Sequence, residues 1–187
     1  MVMLGAKPDG RLTEQHDIFF GVGESLSGLV DDFNRFWPEA KGILHIDAWR
    51  QVDAVDGYAV KVIPRDEAVD QESEGHPKLF FINLGGYKPN EFEEYHYKMV
   101  LACTGKSEAI NRSKSSAFFK HTGFKGANAH VDDKYGIDVD DIHAIDDILP
   151  DDVKKRYALR LEPSEGLSDD PLHIGYVKLS SLRPLDA

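Results

Sequence analysis

Apolar residues in the first forty positions alternate between a short continuous run and a longer periodic stretch. Val2–Leu4 predicts a short strand that ends at Gly5, and Thr13 predicts the N-cap of a helix. The helix is predicted in two parts, because Gly21 and Gly23 interrupt it. Its second part carries apolar residues at intervals of three and four, which predicts one buried face: Leu26, Leu29, Val30, Phe33, Phe36 and Trp37.

Two further strands are predicted after this helix, which Pro38 and Gly42 end. They are Ile43–Trp49 and Tyr58–Ile63, separated by turn residues. The predicted order of elements is therefore β-α-β-β.

The same order recurs about eighty residues later, which indicates an internal repeat. Leu79–Ile82 predicts the opening strand, and Asn90 followed by Glu93 resembles the capping box of a helix. An apolar stripe at Phe92, Tyr95, Met99 and Cys103 supports that second helix. Two short units share one core more readily than each forms its own. We therefore expect a mixed α/β fold of two tandem β-α-β-β units, packed as one pseudo-two-fold-symmetric body with a C-terminal strand pair.

The predicted domain organisation follows from this repeat. Residues 1–77 form the first unit with an acidic linker, and residues 78–150 form the second unit. Residues 151–187 form a C-terminal appendage, in which Tyr157–Leu161 and Ile174–Leu179 predict two strands.

Four polar positions occur in both halves, in the order Glu, His, His, Asp. They are Glu14, His16, His45 and Asp47 in the first half, and Glu94, His96, His130 and Asp132 in the second. Residues two apart on a strand share a face, so each His-x-Asp pair places an imidazole beside a carboxylate. On a helix, however, Glu14 and His16 would point about 200° apart.

A right-handed parallel crossover would collect these side chains at the carboxyl ends of the strands, where open α/β sheets bind ligands. We therefore take all eight as ligand-binding candidates, together with Arg50. Because Tyr135 stands where the first half has Arg50, the first cleft is expected to be the more cationic and to prefer an anionic ligand.

The chemistry of these residues leaves three interpretations open. Imidazole and carboxylate ligands suit zinc, iron or manganese, with His45, Asp47, His130 and Asp132 as the metal candidates. Alternatively, His16 or His45 acts as a general acid or base, with Asp47 orienting the ring. Histidines bonded to carboxylates also anchor folds, which counts against a metal site, and the third interpretation is a non-catalytic binding or assembly module. The sequence predicts a small-ligand or protein-binding module, with a hydrolase-like or metal-assisted enzyme as the competing class, and it identifies no cofactor.

Composition excludes some partners. The net charge of −11 would repel nucleic acid phosphates. No apolar stretch is long enough to span a bilayer and no signal peptide opens the chain, so we expect a cytoplasmic protein. Oligomeric state stays open, and a homodimer is one arrangement. The aspartates between 138 and 152 lack the spacing of a calcium loop and are expected to be surface residues.

Four segments carry a resemblance to a known family: residues 4–11, 14–21, 36–40 and 45–50. Together they resemble the bacterial family called domain of unknown function 1543, whose domain occurs in one or two copies per chain. The resemblance is dense in the first half and diluted in the second, where Phe118-Phe119 replaces Phe36-Trp37. It implies a bacterial intracellular protein and brings no catalytic residue.

Overall fold

The structure is a computed structural model that describes residues 1–68, 75–87, 90–115 and 138–182. The strands are β1 (Val2–Ala6), β2 (Gln15–Phe19), β3 (His45–Trp49), β4 (Ala54–Val55), β5 (Tyr58–Pro64), β6 (Lys78–Tyr87), β7 (Glu94–Cys103), β8 (Asp138–Ala144), β9 (Tyr157–Pro163) and β10 (His173–Lys178). The helices are α1 (Val30–Phe36), α2 (Lys106–Lys114), α3 (Ile145–Ile148) and α4 (Asp151–Arg156).

The described strands form three antiparallel sheets. Their orders are β10-β3-β1-β2, β4-β5-β9 and β7-β6-β8. The predicted mixture of helices and strands is confirmed, but the order β-α-β-β is wrong for both halves. An extra strand, β2 or β7, follows the opening strand where the sequence predicted a helix.

The residues of β2 explain this error. Ile18 and Phe20 pack in the core between two sheets, whereas Phe19 packs on the opposite face, against the apolar side of α1. Consecutive apolar residues buried on opposite faces require the twofold repeat of a strand. Thr13 therefore begins no helix, and α1 begins only at Val30.

In the second half, Phe92 is fully exposed rather than part of a helical stripe. Met99 and Cys103 lie in β7, and the helix α2 begins only at Lys106.

The expected parallel crossover between neighbouring strands is also absent from the described sheets. Strands β2 and β3 lie on either side of β1, and both are antiparallel to it. Polar side chains therefore meet on a face of the sheet, above β1, rather than at the ends of adjacent parallel strands.

Two of the sheets pack face to face. Helix α1 covers the outer face of the β1-β2-β3 sheet, and α2 covers the outer face of the β6-β7-β8 sheet. The inner faces share a core that includes Ile18, Phe20, Phe81 and Val100. The predicted strands at the C-terminal end correspond to β9 and β10, which pair with β5 and β3. No helix in the described ranges is long and apolar enough to cross a membrane.

Candidate functional site

A glycine separates two histidines in the first sheet. Gly5 of β1 pairs with His16 of β2 on one side and with His45 of β3 on the other. Directly opposed residues of a sheet point their side chains to the same face. Neighbouring strands are about 4.8 Å apart, so the two histidines start about 10 Å apart. Because Gly5 has no side chain, both imidazoles can lean over it and approach each other.

A β-bulge brings a carboxylate to the same place. Met3 pairs with Ala48 and Leu4 pairs with Ile46, so Asp47 is the extra residue of β3. Bulges commonly redirect a side chain next to a functional site. Here a Cβ atom built on Gly5 would overlap with Asp47 Oδ2 and with His45 Nε2. The open space above Gly5 is therefore what the Asp47 carboxylate and the His45 ring occupy.

Glu14, immediately before β2, completes a group of four side chains that we call the first site: Glu14, His16, His45 and Asp47. His45 Nε2 lies 2.8 Å from Glu14 Oε1 and 3.4 Å from Asp47 Oδ2. His16 Nε2 lies 3.2 Å from Asp47 Oδ2 and 3.8 Å from Glu14 Oε2. All four residues were predicted as ligand-binding candidates, and the structure brings them together.

The first site has a buried half and an open half. The side chain of His45 is only 7% exposed, whereas those of His16 and Glu14 are 41% and 46% exposed. His45 Nε2 and Asp47 Oδ2 are both buried, and neither makes a hydrogen bond with any described residue. His45 Nε2 and Glu14 Oε1, 2.8 Å apart, are close enough for an ion pair but do not form a hydrogen bond. An unsatisfied buried polar atom costs about 1–3 kcal/mol.

Strand β10 adds an aromatic ring that the sequence analysis did not identify. The ring of Tyr176 lies against the imidazole of His45, with ring centroids 4.5 Å apart. The pairing of β10 with β3 also shifts at this point, between Ile174 and Val177. Nearby, His173 stacks on Trp49 at 3.8 Å. No local pattern in the sequence reveals that β10 pairs with β3, so the sequence could not predict that Tyr176 lies at the first site.

The second sheet repeats this arrangement around Gly85. Gly85 of β6 pairs with His96 of β7 and with Asp138 of β8. The register shifts between Asn83, which pairs with Asp141, and Leu84, which pairs with Val139. Asp140 is therefore the extra residue of β8. A Cβ atom on Gly85 would overlap with the Asp140 carboxylate, as it would at Gly5 with Asp47.

Three side chains form what we call the second site: Glu94, His96 and Asp140. His96 Nε2 lies 3.3 Å from Asp140 Oδ2 and 3.8 Å from Glu94 Oε2. One donor atom from each residue lies within 4.8 Å of the others. The Tyr87 hydroxyl donates a 2.7 Å hydrogen bond to Glu94 Oε1, which leaves Oε2 on the side of His96. This bond raises the pKa of Tyr87.

Two of the predicted second-half candidates stay predictions. His130 and Asp132 lie outside the described residues. By strand register, the segment opposite Gly85 is Asp138-Val139-Asp140, which has the x-apolar-Asp spacing of His45-Ile46-Asp47. Asp140 was expected to be a surface residue only. It is exposed, but it also belongs to the second site.

Arg50 lies away from the first site. It follows β3 and lines a cavity of about 530 Å³ whose walls include Val2, Phe20 and Trp49 but none of the four first-site residues. Its backbone exchanges hydrogen bonds with Met1, at 3.0 and 3.1 Å.

Comparison with known families and structures adds to this geometry. Residues 11–62 match the model of the Domain of Unknown Function (DUF1543). The resemblance predicted from the sequence is thus confirmed for this segment, which contains all four residues of the first site. No curated protein matches the chain.

A solved structure resembles nearly the whole chain. It is the crystal structure of a protein Il1583 from Idiomarina loihiensis, with a TM-score of 0.62 and 20% sequence identity. The likeness covers 95% of this chain and 94% of that one. At this identity it concerns the fold alone.

Proposed function

We propose that this protein binds a divalent transition-metal ion at the first site. The observation that carries the proposal is the pair of buried atoms, His45 Nε2 and Asp47 Oδ2, that lie beside each other above Gly5 without a hydrogen bond to any described residue. A metal ion would accept a lone pair from each of these two atoms, so both atoms would gain a partner at once.

The nitrogen-to-oxygen distances within the first site are similar to those between two ligand atoms of one ion. Zinc binds nitrogen and carboxylate oxygen at about 2.0–2.2 Å. Two ligand atoms of one ion are then about 3.0 Å apart at a right angle and about 3.4 Å apart at a tetrahedral angle. The four nitrogen-to-oxygen distances of the first site are 2.8, 3.2, 3.4 and 3.8 Å, on both sides of these values. In the described part of the chain, three donor atoms lie within 4.8 Å of one another only in the group Glu94, His96 and Asp140, so the side chains of the first site would have to move closer together to hold one ion with three or more ligands.

Charge supports it as well. Neither Glu14 nor Asp47 has a lysine or arginine nitrogen within 4.0 Å in the described part of the chain, and their close ionic neighbours are the two histidines. A divalent cation would balance two carboxylates. Two imidazoles and two carboxylates suit zinc, iron, cobalt or manganese, and selectivity among these ions then depends on geometry and availability.

We also propose that β1–β3 and β6–β8 descend from one duplicated unit. Glu14, His16 and Gly5 correspond to Glu94, His96 and Gly85 at a constant offset of 80 residues. In both units a central glycine faces a histidine on the following strand, and a bulged aspartate on the third strand. The offset grows to 93 between Asp47 and Asp140, so the second unit carries a longer connection before its third strand.

A metal-assisted enzyme is the second candidate. Catalytic zinc sites keep one position open for water or substrate, and the exposure of Glu14 and His16 leaves the outer half of the first site accessible. Turnover of chromogenic phosphate or carboxylic esters by the metal-loaded protein, lost in Asp47→Asn, would support this candidate. If the metal-loaded protein hydrolysed these esters no faster than the free metal ion, the result would favour metal binding without catalysis.

The test of the proposed function is a titration with Co²⁺, whose visible spectrum reports its ligands. The protein is purified without chelators or a histidine tag, and metal content is measured by mass spectrometry. We expect binding that shows nitrogen and oxygen ligation and that is lost in His45→Ala. The matched control is His76→Ala, because His76 is an exposed histidine outside both sites.

The proposal would be wrong if folded His45→Ala and Asp47→Asn proteins bound Co²⁺ as tightly as the parent. Circular dichroism establishes whether each variant is folded.

A further inference from the structure

We infer that the second site binds a second divalent ion, of the oxygen-preferring class that Mn²⁺ represents, independently of the first site. This inference concerns residues of a different sheet and goes beyond the proposed function. It rests on the convergence of Glu94, His96 and Asp140 around Gly85.

Recurrence of the backbone frame is the first argument. Glycine inside a strand is less favourable than alanine by about 0.5–1 kcal/mol, and a bulge leaves a residue unpaired. Both sheets combine these two features at the same place, and in both the bulged residue is an aspartate whose carboxylate fills the space above the glycine. A frame that costs stability and recurs around the same donor types is explained by a ligand in each copy.

The donor set of the second site is the second argument. The position that pairs with the central glycine is His45 in the first sheet but Asp138 in the second. The described donors of the second site are thus one imidazole and two carboxylates. Carboxylates suit Mg²⁺, Ca²⁺ and Mn²⁺, whereas imidazole suits transition metals, and Mn²⁺ is the transition metal among these oxygen-preferring ions.

The hydrogen bond that Glu94 accepts from Tyr87, together with the exposure of His96, is the third argument. The hydrogen bond from Tyr87 fixes one oxygen of Glu94, and such partners orient metal ligands in known sites. The His96 side chain is 35% exposed, compared with 7% for His45. A more exposed site with fewer nitrogen ligands should bind more weakly and exchange its ion faster.

The experiment is a Mn²⁺ titration followed by electron paramagnetic resonance, in which bound Mn²⁺ loses the signal of the free aqua ion. The protein variants are the parent, His96→Ala, Asp140→Asn and His45→Ala. Asp140→Asn is nearly isosteric, so it keeps the test valid should His96→Ala not fold. The control Glu39→Gln removes an exposed carboxylate outside both sites.

We expect Asp140→Asn and His96→Ala to weaken Mn²⁺ binding by at least about tenfold, the effect typical of losing one ligand or its partner. Co²⁺ binding at the first site should be unchanged in both. His45→Ala should abolish Co²⁺ binding at the first site and leave Mn²⁺ binding at the second site unchanged. A failure of the first site and a failure of the second site therefore give different results.

The inference would be overturned by Mn²⁺ binding that survives when Asp140→Asn or His96→Ala is combined with His45→Ala in a folded protein, because the first site also suits manganese. It would also be overturned if the parent left the signal of free Mn²⁺ unchanged, or if His45→Ala alone abolished Mn²⁺ binding, since the ion would then occupy the first site.

Discussion

The first and second sites share a backbone frame and differ in what the frame carries. In both, a strand glycine lies between a histidine on one neighbouring strand and a bulged aspartate on the other. The first site adds a buried imidazole, His45, where the second has Asp138. One residue opposite the glycine therefore changes the balance of nitrogen and oxygen donors, while strand pairing keeps the donors in place.

The two sites also differ in how far neighbouring strands cover them. Strand β10 extends the first sheet and places Tyr176 against His45. In the second sheet, as far as the structure describes it, β8 is the edge strand. The first site is therefore shielded by a further strand next to β3, whereas β8 has no such neighbour in the described part of the second sheet.

The largest effect should follow from filling the space above the glycine. Gly5→Ala places a Cβ against both Asp47 and His45, whereas Gly85→Ala meets only the Asp140 carboxylate. We expect Gly5→Ala to abolish Co²⁺ binding and to lower the free energy of unfolding by about 1–3 kcal/mol, the usual cost of overpacking. Gly85→Ala should cost less, because exposed Asp140 can move.

Urea denaturation monitored by circular dichroism measures these free energies. Gly105→Ala is the control, because a Cβ there meets no atom within 4 Å. Equal effects of Gly5→Ala and Gly85→Ala would contradict the difference that we assign to the two sites.

Asp47→Asn should separate a metal site from a structural anchor. The Asp47 carboxylate oxygen is buried without a hydrogen bond from the described residues, so removing its charge should not destabilise the metal-free protein. We expect an unchanged or higher melting temperature without metal. Ligand excess of 100 times Kd stabilises a folded protein by about 2.7 kcal/mol, and this gain should disappear in the variant. A structural anchor predicts a lower melting temperature in metal-free protein instead.

Replacing His45, the residue that distinguishes the first site from the second, should shift the ion preference of the first site. His45→Asp gives the first sheet the residue type that Asp138 provides in the second. Because oxygen donors favour Mn²⁺ over later transition metals, the ratio of Co²⁺ to Mn²⁺ affinity at this site should fall by about tenfold or more. Competition titrations in an Asp140→Asn background measure the ratio. An unchanged ratio would mean that His45 does not contribute a ligand.

Several strands could be predicted from local sequence patterns. The helix predicted in place of β2 shows where such patterns are insufficient. Apolar runs predicted β1, β3 and β10, and the similarity in residue order between the two halves indicated Glu14 and His16 as candidates. Residues 18–20 suit the start of a helix as well as a strand, and only burial against two different layers decides between them. The central role of Gly5 depends on pairing with strands 11 and 40 residues away, which no local window contains.

Bulges limit prediction of the sites for the same reason. The carboxylates of Asp47 and Asp140 reach their glycines because of a register shift between strands. A register shift depends on tertiary pairing, so the sequence could not predict that Asp140, the extra residue of β8, belongs to the second site.

A smaller effect is expected at the aromatic cover of the first site. Tyr176→Ala removes the ring that lies 4.5 Å from the His45 imidazole. We expect faster release of Co²⁺ and a loss of affinity of about tenfold or less, because no donor atom is removed. Tyr176→Phe keeps the ring and should behave as the parent. Stopped-flow chelation with a colorimetric chelator measures the release rate, and weakened binding in Tyr176→Phe would instead assign a role to the hydroxyl group.

The smallest effect should come from Cys103, which tests whether either site uses sulfur. Cys103 lies in β7 on the face covered by α2, away from the inner face of that sheet. Burial raises the pKa of its thiol above the ordinary value, so a smaller fraction is thiolate at pH 8 than in a free cysteine. We expect slow reaction with a disulfide reagent in the native protein and fast reaction in urea. Cys103→Ser should leave the Co²⁺ spectrum unchanged, without loss of a sulfur-to-cobalt charge-transfer band. Such a band in the parent, absent from Cys103→Ser, would show that the thiolate takes part, and the nitrogen and oxygen donors of the two sites would no longer account for metal binding.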